Sequence, residues 1–343
     1  MAVYWILIGV FSLCAVVNCI NISTRYKDKL YLGCSASLII LSAVRDFSVG
    51  ADTLNYCNSF RYISSLSFKQ ALRSGWEQGY VVLNWWLGHF FKDGRALIVF
   101  MALVILIPFF IWIKRESKWP VLSLVIFVCT GMWSSSMFIL RQWCAMAILT
   151  FSYKYIKQQK FIPFLALVLV AAMFHRTAVI FILAYFILWI PMNTSIVLLA
   201  VPVSALIGLF GGRILSFLNQ FARIAESGNF NGGIPMLIVL WLCIFAVLVC
   251  FKGNVPSQLD FYFRLVFLAA FLQPIAFTFS NWARIVSYFS VSLSVFLPNF
   301  VEVLTSDETP NQRFRLSIGC IVCALMFVWF LIIKPEPYIY MQF

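Results

Sequence analysis

The chain has 343 residues, 63% of them hydrophobic and only 11% charged, where a soluble domain has about 25% charged. That balance excludes an ordinary soluble enzyme, and 12 Trp and 13 Tyr suit a protein anchored at two membrane–water interfaces. The net charge of +13 is scattered singly or in small clusters between apolar segments, which excludes a nucleic-acid partner and leaves topology signals and an anionic substrate at the membrane surface.

Spanning helices need about 20 apolar residues, whereas barrel strands alternate over about 10. The apolar runs here are long and do not alternate, so the chain reads as all-α: a single polytopic integral membrane domain over residues 1–343. Residues 2–20 are the first span, and Arg25, Lys27 and Lys29 mark the cytoplasmic side. Residues 30–47 return outward and end at Arg45, opening a polar interval over 45–78. Residues 79–91, with Trp85, Trp86 and His89, are apolar but short. A crossing there would force Lys114, Arg115 and Lys118 outside, so this segment is expected to be an interfacial or re-entrant helix. It belongs to a first outer loop of about 45–95.

Residues 96–113 go in, 119–137 come out, 138–153 return to Lys154, Lys157 and Lys160, and 161–174 come out to His175-Arg176. The 36 uncharged residues from Thr177 to Gly212 exceed one span, and Pro191-Met192-Asn193-Thr194 is expected to break them into a helical hairpin. A second outer loop is expected over 211–234. Spans at 235–251, 261–280, 282–304 and 316–333 bring the count to about twelve, with both termini outside.

Nine of the ten cysteines fall in or beside apolar segments, which is neither a disulfide framework nor a metal site. Cys320 and Cys323 form a C-x-x-C inside an apolar helix and read as small packing residues. There is no metal motif, Walker motif, dinucleotide fingerprint or nucleophile elbow, so no metal and no cofactor is expected.

On this topology the outer helix ends carry single arginines in apolar context: Arg45, Arg141, Arg176 and Arg284. An arginine near the bilayer costs a few kcal/mol if it moves toward the centre, so each is a functional candidate. Gly50 would supply a positive-φ turn after Arg45. Arg141-Gln142 offers several donors to a phosphate or sugar oxygen. Arg284 and Tyr288 stand one turn apart on one helix face. His175 lies at an outer turn, with its chain neighbour Arg176 as the charge expected beside it. Acids on the outer side are few: Asp46, Asp52, Glu77, Asp93, Glu226 and Glu336. Each feature also has a structural reading, as helix cap, snorkelling anchor or interfacial belt.

Taken in order, Arg45-x4-Gly50-x-Asp52-x3-Tyr56, Trp76-Glu77-Gln78-Gly79-Tyr80, Leu140-Arg141-Gln142 with Ala145, Phe174-His175 and Arg284-x3-Tyr288 resemble the EpsG/Wzy-type family of bacterial polysaccharide and O-antigen polymerases. The resemblance spans roughly residues 40–290. This chain has Arg176 where the family tends to place Lys or another polar residue after His.

The resemblance implies a GT-C-like glycosyltransferase of the bacterial inner membrane. It would join undecaprenyl-pyrophosphate-linked oligosaccharide repeat units at the periplasmic face, with a flippase and a chain-length regulator as partners. Arg45, Arg141, Arg176 and Arg284 would then hold the pyrophosphate. His175, Asp52 and Glu77 are the choices for the group that activates the acceptor hydroxyl, and Tyr56, Tyr288 and Gln142 would hold sugar or phosphate oxygens. Two other classes stay open at this point: an O-antigen ligase, whose chemistry is nearly the same, and a lipid-linked oligosaccharide flippase.

Overall fold

The computed structural model describes residues 1–19, 23–221, 233–277, 282–306 and 312–333. Those residues form helices and connecting turns with no strand among them, as the sequence predicts. They divide into two compact units, residues 1–179 with 305–343, and residues 180–304.

The first unit holds the helices α1 (Ala2–Cys19), α2 (Thr24–Val44), α3 (Thr53–Ser65), α4 (Phe68–Ala71), α5 (Gln78–Phe90), α6 (Gly94–Glu116), α7 (Pro120–Cys129), α8 (Met132–Phe138), α9 (Leu140–Thr150), α10 (Tyr153–Lys157) and α11 (Phe161–Ala172). The helix Gln312–Ile333 joins them and packs on α1 and α7. Every residue of α7 from Val121 to Cys129 is buried, as an apolar-all-round helix requires. Phe109 of α6 meets Trp143 of α9 with ring centroids 5.1 Å apart and Phe127 of α7 at 6.0 Å. Lipid tails are as apolar as these side chains, so close packing and internal hydrogen bonds hold the helices together, with little drive from water. Two such bonds tie distant helices: the Tyr31 hydroxyl donates to the Phe110 carbonyl at 2.6 Å, and the Trp133 indole donates to Ser42 Oγ at 2.9 Å.

In the second unit, Ser257–Leu272 is the buried central helix. Gly208 lets the helix Thr194–Phe221 pass Pro274 closely, because a Cβ there would stand 2.6 Å from the proline Cβ. Arg264 pairs with Asp260 at 2.7 Å and donates to the Ile187 carbonyl at 3.1 Å, capping the segment Arg176–Trp189. The expected break after that segment is present, and Asn193 Oδ1 accepts from the Ile196 N–H at 2.9 Å to start the next helix.

Among the described residues five helices are long and apolar enough to cross a membrane, at residues 94–116, 194–213, 257–277, 282–305 and 312–332. The pair α7 and α8 makes a sixth if it counts as one span. With the shorter apolar helices at 2–18, 161–172, 176–189 and 234–250, this is a multi-pass membrane protein.

Three expectations change. The segment 119–137 is bent by 62° where Thr130-Gly131 interrupts it, with Gly131 at φ +75°. The loop expected over 211–234 begins as helix, since Thr194–Phe221 runs through Gly211-Gly212. Two glycines cost a helix about 2 kcal/mol together, which its other residues offset. Residues 222–232, with Glu226, lie outside the described residues, as does Glu336. Finally, 138–153 is two shorter helices, α9 and α10. The segment expected at 79–91 is α5, whose 13 residues make a rod of about 20 Å, short of the hydrocarbon core.

Candidate functional site

The chain turns into α5 through Gly75, which takes φ +87°, a conformation open to glycine at no steric cost. Glu77 is the N-cap residue of α5, but its side chain makes no capping hydrogen bond. Two residues on, the Gly79 N–H donates to the Met173 carbonyl at 2.8 Å. A Cβ at position 79 would stand 2.9 Å from that same oxygen. Glycine therefore lets the start of α5 dock against the end of α11, and the docking sets Glu77 beside His175, two residues past Met173.

Arg141 arrives from the first turn of α9 and donates through Nη1 to Glu77 Oε2. The other carboxylate oxygen, Oε1, lies 3.4 Å from His175 Nδ1. That contact is within ion-pair range but not aligned as a hydrogen bond, and Nδ1 is buried with no hydrogen-bond partner. One carboxylate thus stands between a guanidinium and an imidazole that are distant in sequence. The side chains are largely enclosed, with exposures of 10% for Glu77, 25% for Arg141 and 23% for His175. Burial alone would raise the Glu77 carboxyl. The contact with His175 and then the charge of Arg141 outweigh it and hold the carboxyl at about 2. Glu77 is therefore an anion at any physiological pH.

Aromatic rings wall the cluster. The Arg141 guanidinium lies 4.6 Å from the Trp76 ring centroid and 6.0 Å from that of Tyr56. Tyr80 packs 5.8 Å from Trp76 and 5.9 Å from Tyr56. A cavity of about 520 Å³ opens beside them, lined by Arg73, Trp76, Glu77, Met173 and Arg176 among others. Arg73 and Arg176 are both exposed at its rim.

Of the residues that the sequence points to, Glu77, Arg141, His175, Tyr56 and Arg176 come together here. Asp52 stands just before α3, half-buried and in no ion pair among the described residues. Arg45 is elsewhere: 1% exposed, it donates to the Ser42 carbonyl at 2.5 Å and to the Met137 carbonyl at 2.6 Å. Gln142 is buried, with its amide toward Met146 Sδ at 3.9 Å. Arg284 and Tyr288 lie on Trp282–Ser290 in the second unit, the arginine exposed and the tyrosine buried. Asn281, just before them, lies outside the described residues. Among the described residues no group of three or more His, Cys, Asp or Glu gathers as a metal site.

Sequence reasoning passed over Arg73 and gave Trp76 no role. Arg73 was detectable as a further outer-side cation four residues before Glu77. Trp76 sits inside a quoted motif, but its contact with Arg141 depends on how α5 and α9 meet.

A sequence model of the EpsG family matches residues 29–343, nearly the whole chain. No curated protein and no solved structure matches the chain.

Proposed function

The chain belongs to the EpsG family, which carries a polymerase-type function in exopolysaccharide or O-antigen assembly, and from that premise we propose that it joins lipid-pyrophosphate-linked oligosaccharide repeat units by glycosyl transfer. The observation that carries the reading is the Glu77 carboxylate held between Arg141 and His175 on the wall of an open cavity.

The chemistry fits those groups. The acceptor hydroxyl oxygen bonds to the anomeric carbon of the donor as the bond from that carbon to the pyrophosphate oxygen breaks. The electron pair of the broken bond leaves on the pyrophosphate. Arg141 and Arg176, joined by Arg73 at the rim, are placed to stabilise that growing charge, since guanidinium groups match phosphate oxygens and stay charged. His175 takes the acceptor proton at Nε2, which has no protein partner among the described residues. Glu77 faces Nδ1 and stabilises the imidazolium that forms, as the carboxylate does in a serine-protease triad. In this assignment Glu77 is the orienting partner and His175 the base, with Tyr56 beside the sugar or phosphate. Asp52 is the reserve base.

Arg45 and Gln142 hold the surrounding fold, Arg45 through its two carbonyls. Arg284 and Tyr288, on Trp282–Ser290, are assigned to substrate binding by their place in the ordered motifs. The lipid carrier is undecaprenyl, the face periplasmic and the membrane the bacterial inner one. The shorter apolar helices, α2 and α9 also cross, giving about twelve spans of GT-C-like character with Arg25–Lys29, Lys114–Lys118 and Lys154–Lys160 in the cytoplasm. A flippase would supply the units and a chain-length regulator would act on the product.

Two experiments test this. The surface glycan of cells lacking the protein should shrink to a single repeat on its anchor; complete absence of glycan there would point to a ligase or flippase. A Ser65→Cys variant should react with an impermeant thiol reagent in intact inner membranes exposed from the periplasmic side. Labelling only after the membrane is breached would reverse the topology.

A further inference from the structure

Trp76 is the aromatic residue of the cavity wall, and the proposed chemistry leaves it unused. Its position is determined from several sides. Gly75, at φ +87°, makes the turn that presents it. Arg141 lies against its ring at 4.6 Å, and Tyr80 packs on it at 5.8 Å. The ring nonetheless reaches the cavity of about 520 Å³, a volume within the roughly 300–1,000 Å³ of small-ligand sites. Trp76 is half-buried, and its indole N–H donates to no protein atom among the described residues. The lining also includes the apolar residues Leu72, Leu169, Ala172 and Met173.

These features describe a platform for a pyranose ring. A sugar has an apolar face of axial C–H bonds and a rim of hydroxyls. An indole offers the matching pair, a flat π-face and an N–H donor at its edge. Because packing fixes the ring beforehand, little rotamer freedom is lost on binding. Glu77 is the next residue in the chain and touches both Arg141 and His175. A sugar stacked on Trp76 would place its rim hydroxyls beside that cluster.

We infer that Trp76 is a sugar-binding residue that stacks on one pyranose ring of the repeat unit and sets it against the Glu77–His175–Arg141 cluster. This rests on the reading of the site as one of glycosyl transfer. The same residue has a structural duty, holding Arg141, so the test separates ring stacking from packing.

The full-length protein, in lipid nanodiscs, is compared with Trp76→Phe and Trp76→Leu. The binding probe is the oligosaccharide released by mild acid from the host's own lipid-linked repeat unit, observed by saturation-transfer NMR. The wild type and Trp76→Phe should transfer saturation mainly to the C–H protons of one sugar face, and Trp76→Leu should lose that pattern. With lipid-linked units as substrate, Trp76→Leu should raise KM about tenfold, as expected for the loss of one stacked ring, with kcat within about threefold of wild type. Trp76→Phe should restore most of the affinity. If Trp76→Leu matches Trp76→Phe in both KM and saturation pattern, the ring is packing only and the inference fails while the polymerase reading stands. If the wild type forms no polymer yet shows Trp76-dependent saturation, the sugar platform stands and the polymerase reading fails.

Discussion

Two turns on the expected outer side are built alike and used differently. The first runs from Arg45 to Thr53 and the second from Arg73 to Gln78. Each contains an arginine, then a glycine at nearly the same positive φ, +88° at Gly50 and +87° at Gly75, then an acid and a helix. In the first turn the space is taken. A Cβ on Gly50 would lie 2.3 Å from Phe138 Cβ, and Arg45 is buried against two carbonyls. In the second turn nothing lies within 4 Å of a Cβ on Gly75. Arg73 is exposed at a cavity, and Glu77 is drawn into an ion pair with Arg141. An arginine whose donors go to backbone carbonyls inside the fold holds structure. One that faces a cavity beside a carboxylate is available to chemistry.

Five variants would break or sharpen that contrast. The largest effect is expected at the second turn's partner: His175→Ala should lower polymer formation by about 10²–10⁴-fold, the usual contribution of a general base. The protein should still accumulate in the membrane, as purified yield would show.

Next comes Arg45→Ala, which leaves two buried carbonyls without their donor. It should cost about 2–4 kcal/mol of stability, seen as reduced yield and a lower Tm in detergent. If instead Arg45→Ala folds normally and loses only activity, the division between the two turns is wrong.

The glycines give a smaller contrast. Gly50→Ala combines left-handed strain with the clash at Phe138 and should cost about 2–3 kcal/mol. Gly75→Ala meets open space and should cost only the strain, about 1 kcal/mol. Thermal melts of the two variants side by side would show whether the order holds.

The subtlest expectation concerns pH. The Glu77 carboxyl lies near 2, below its ordinary value of 4.5. A group lowered on folding adds stability that is fully present above its unfolded value and is lost as pH falls through its folded one. The gap in Tm between wild type and Glu77→Gln should therefore stay constant from pH 7 to about 5 and close between about 4.5 and 2. A gap that closes already near pH 6 would mean that Glu77 is not held by Arg141 and His175.

How much of this could be read from the sequence depended on the range of the interaction. Local signals worked. Pro191 to Asn193 broke a long apolar run where expected, and Gly50 marked its turn. Glu77, Arg141 and His175 each stood out as a polar group in apolar company. Their convergence did not, because it depends on Gly79 letting α5 close on the Met173 carbonyl, a contact across 94 positions. For the same reason Arg176, adjacent in the chain, looked like the charge beside His175, while the fold places Glu77 there. Arg45 looked like a ligand-binding cation because sequence cannot show that the carbonyl of Met137, 92 residues away, accepts from it. The bend at Gly131 and the helix running past Gly211 were hidden by the ambiguity of glycine, which interrupts one helix and is tolerated in another.

The central claim is that the Glu77–His175 pair activates an acceptor sugar beside a guanidinium that receives the leaving pyrophosphate. The most direct measurement uses purified full-length protein with lipid-linked repeat units and reads the length distribution of the lipid-linked glycan. The wild type should build a ladder and release free lipid pyrophosphate in step with it. His175→Asn should bind the units and leave them single. A ladder of near-normal length and rate from His175→Asn would contradict the account.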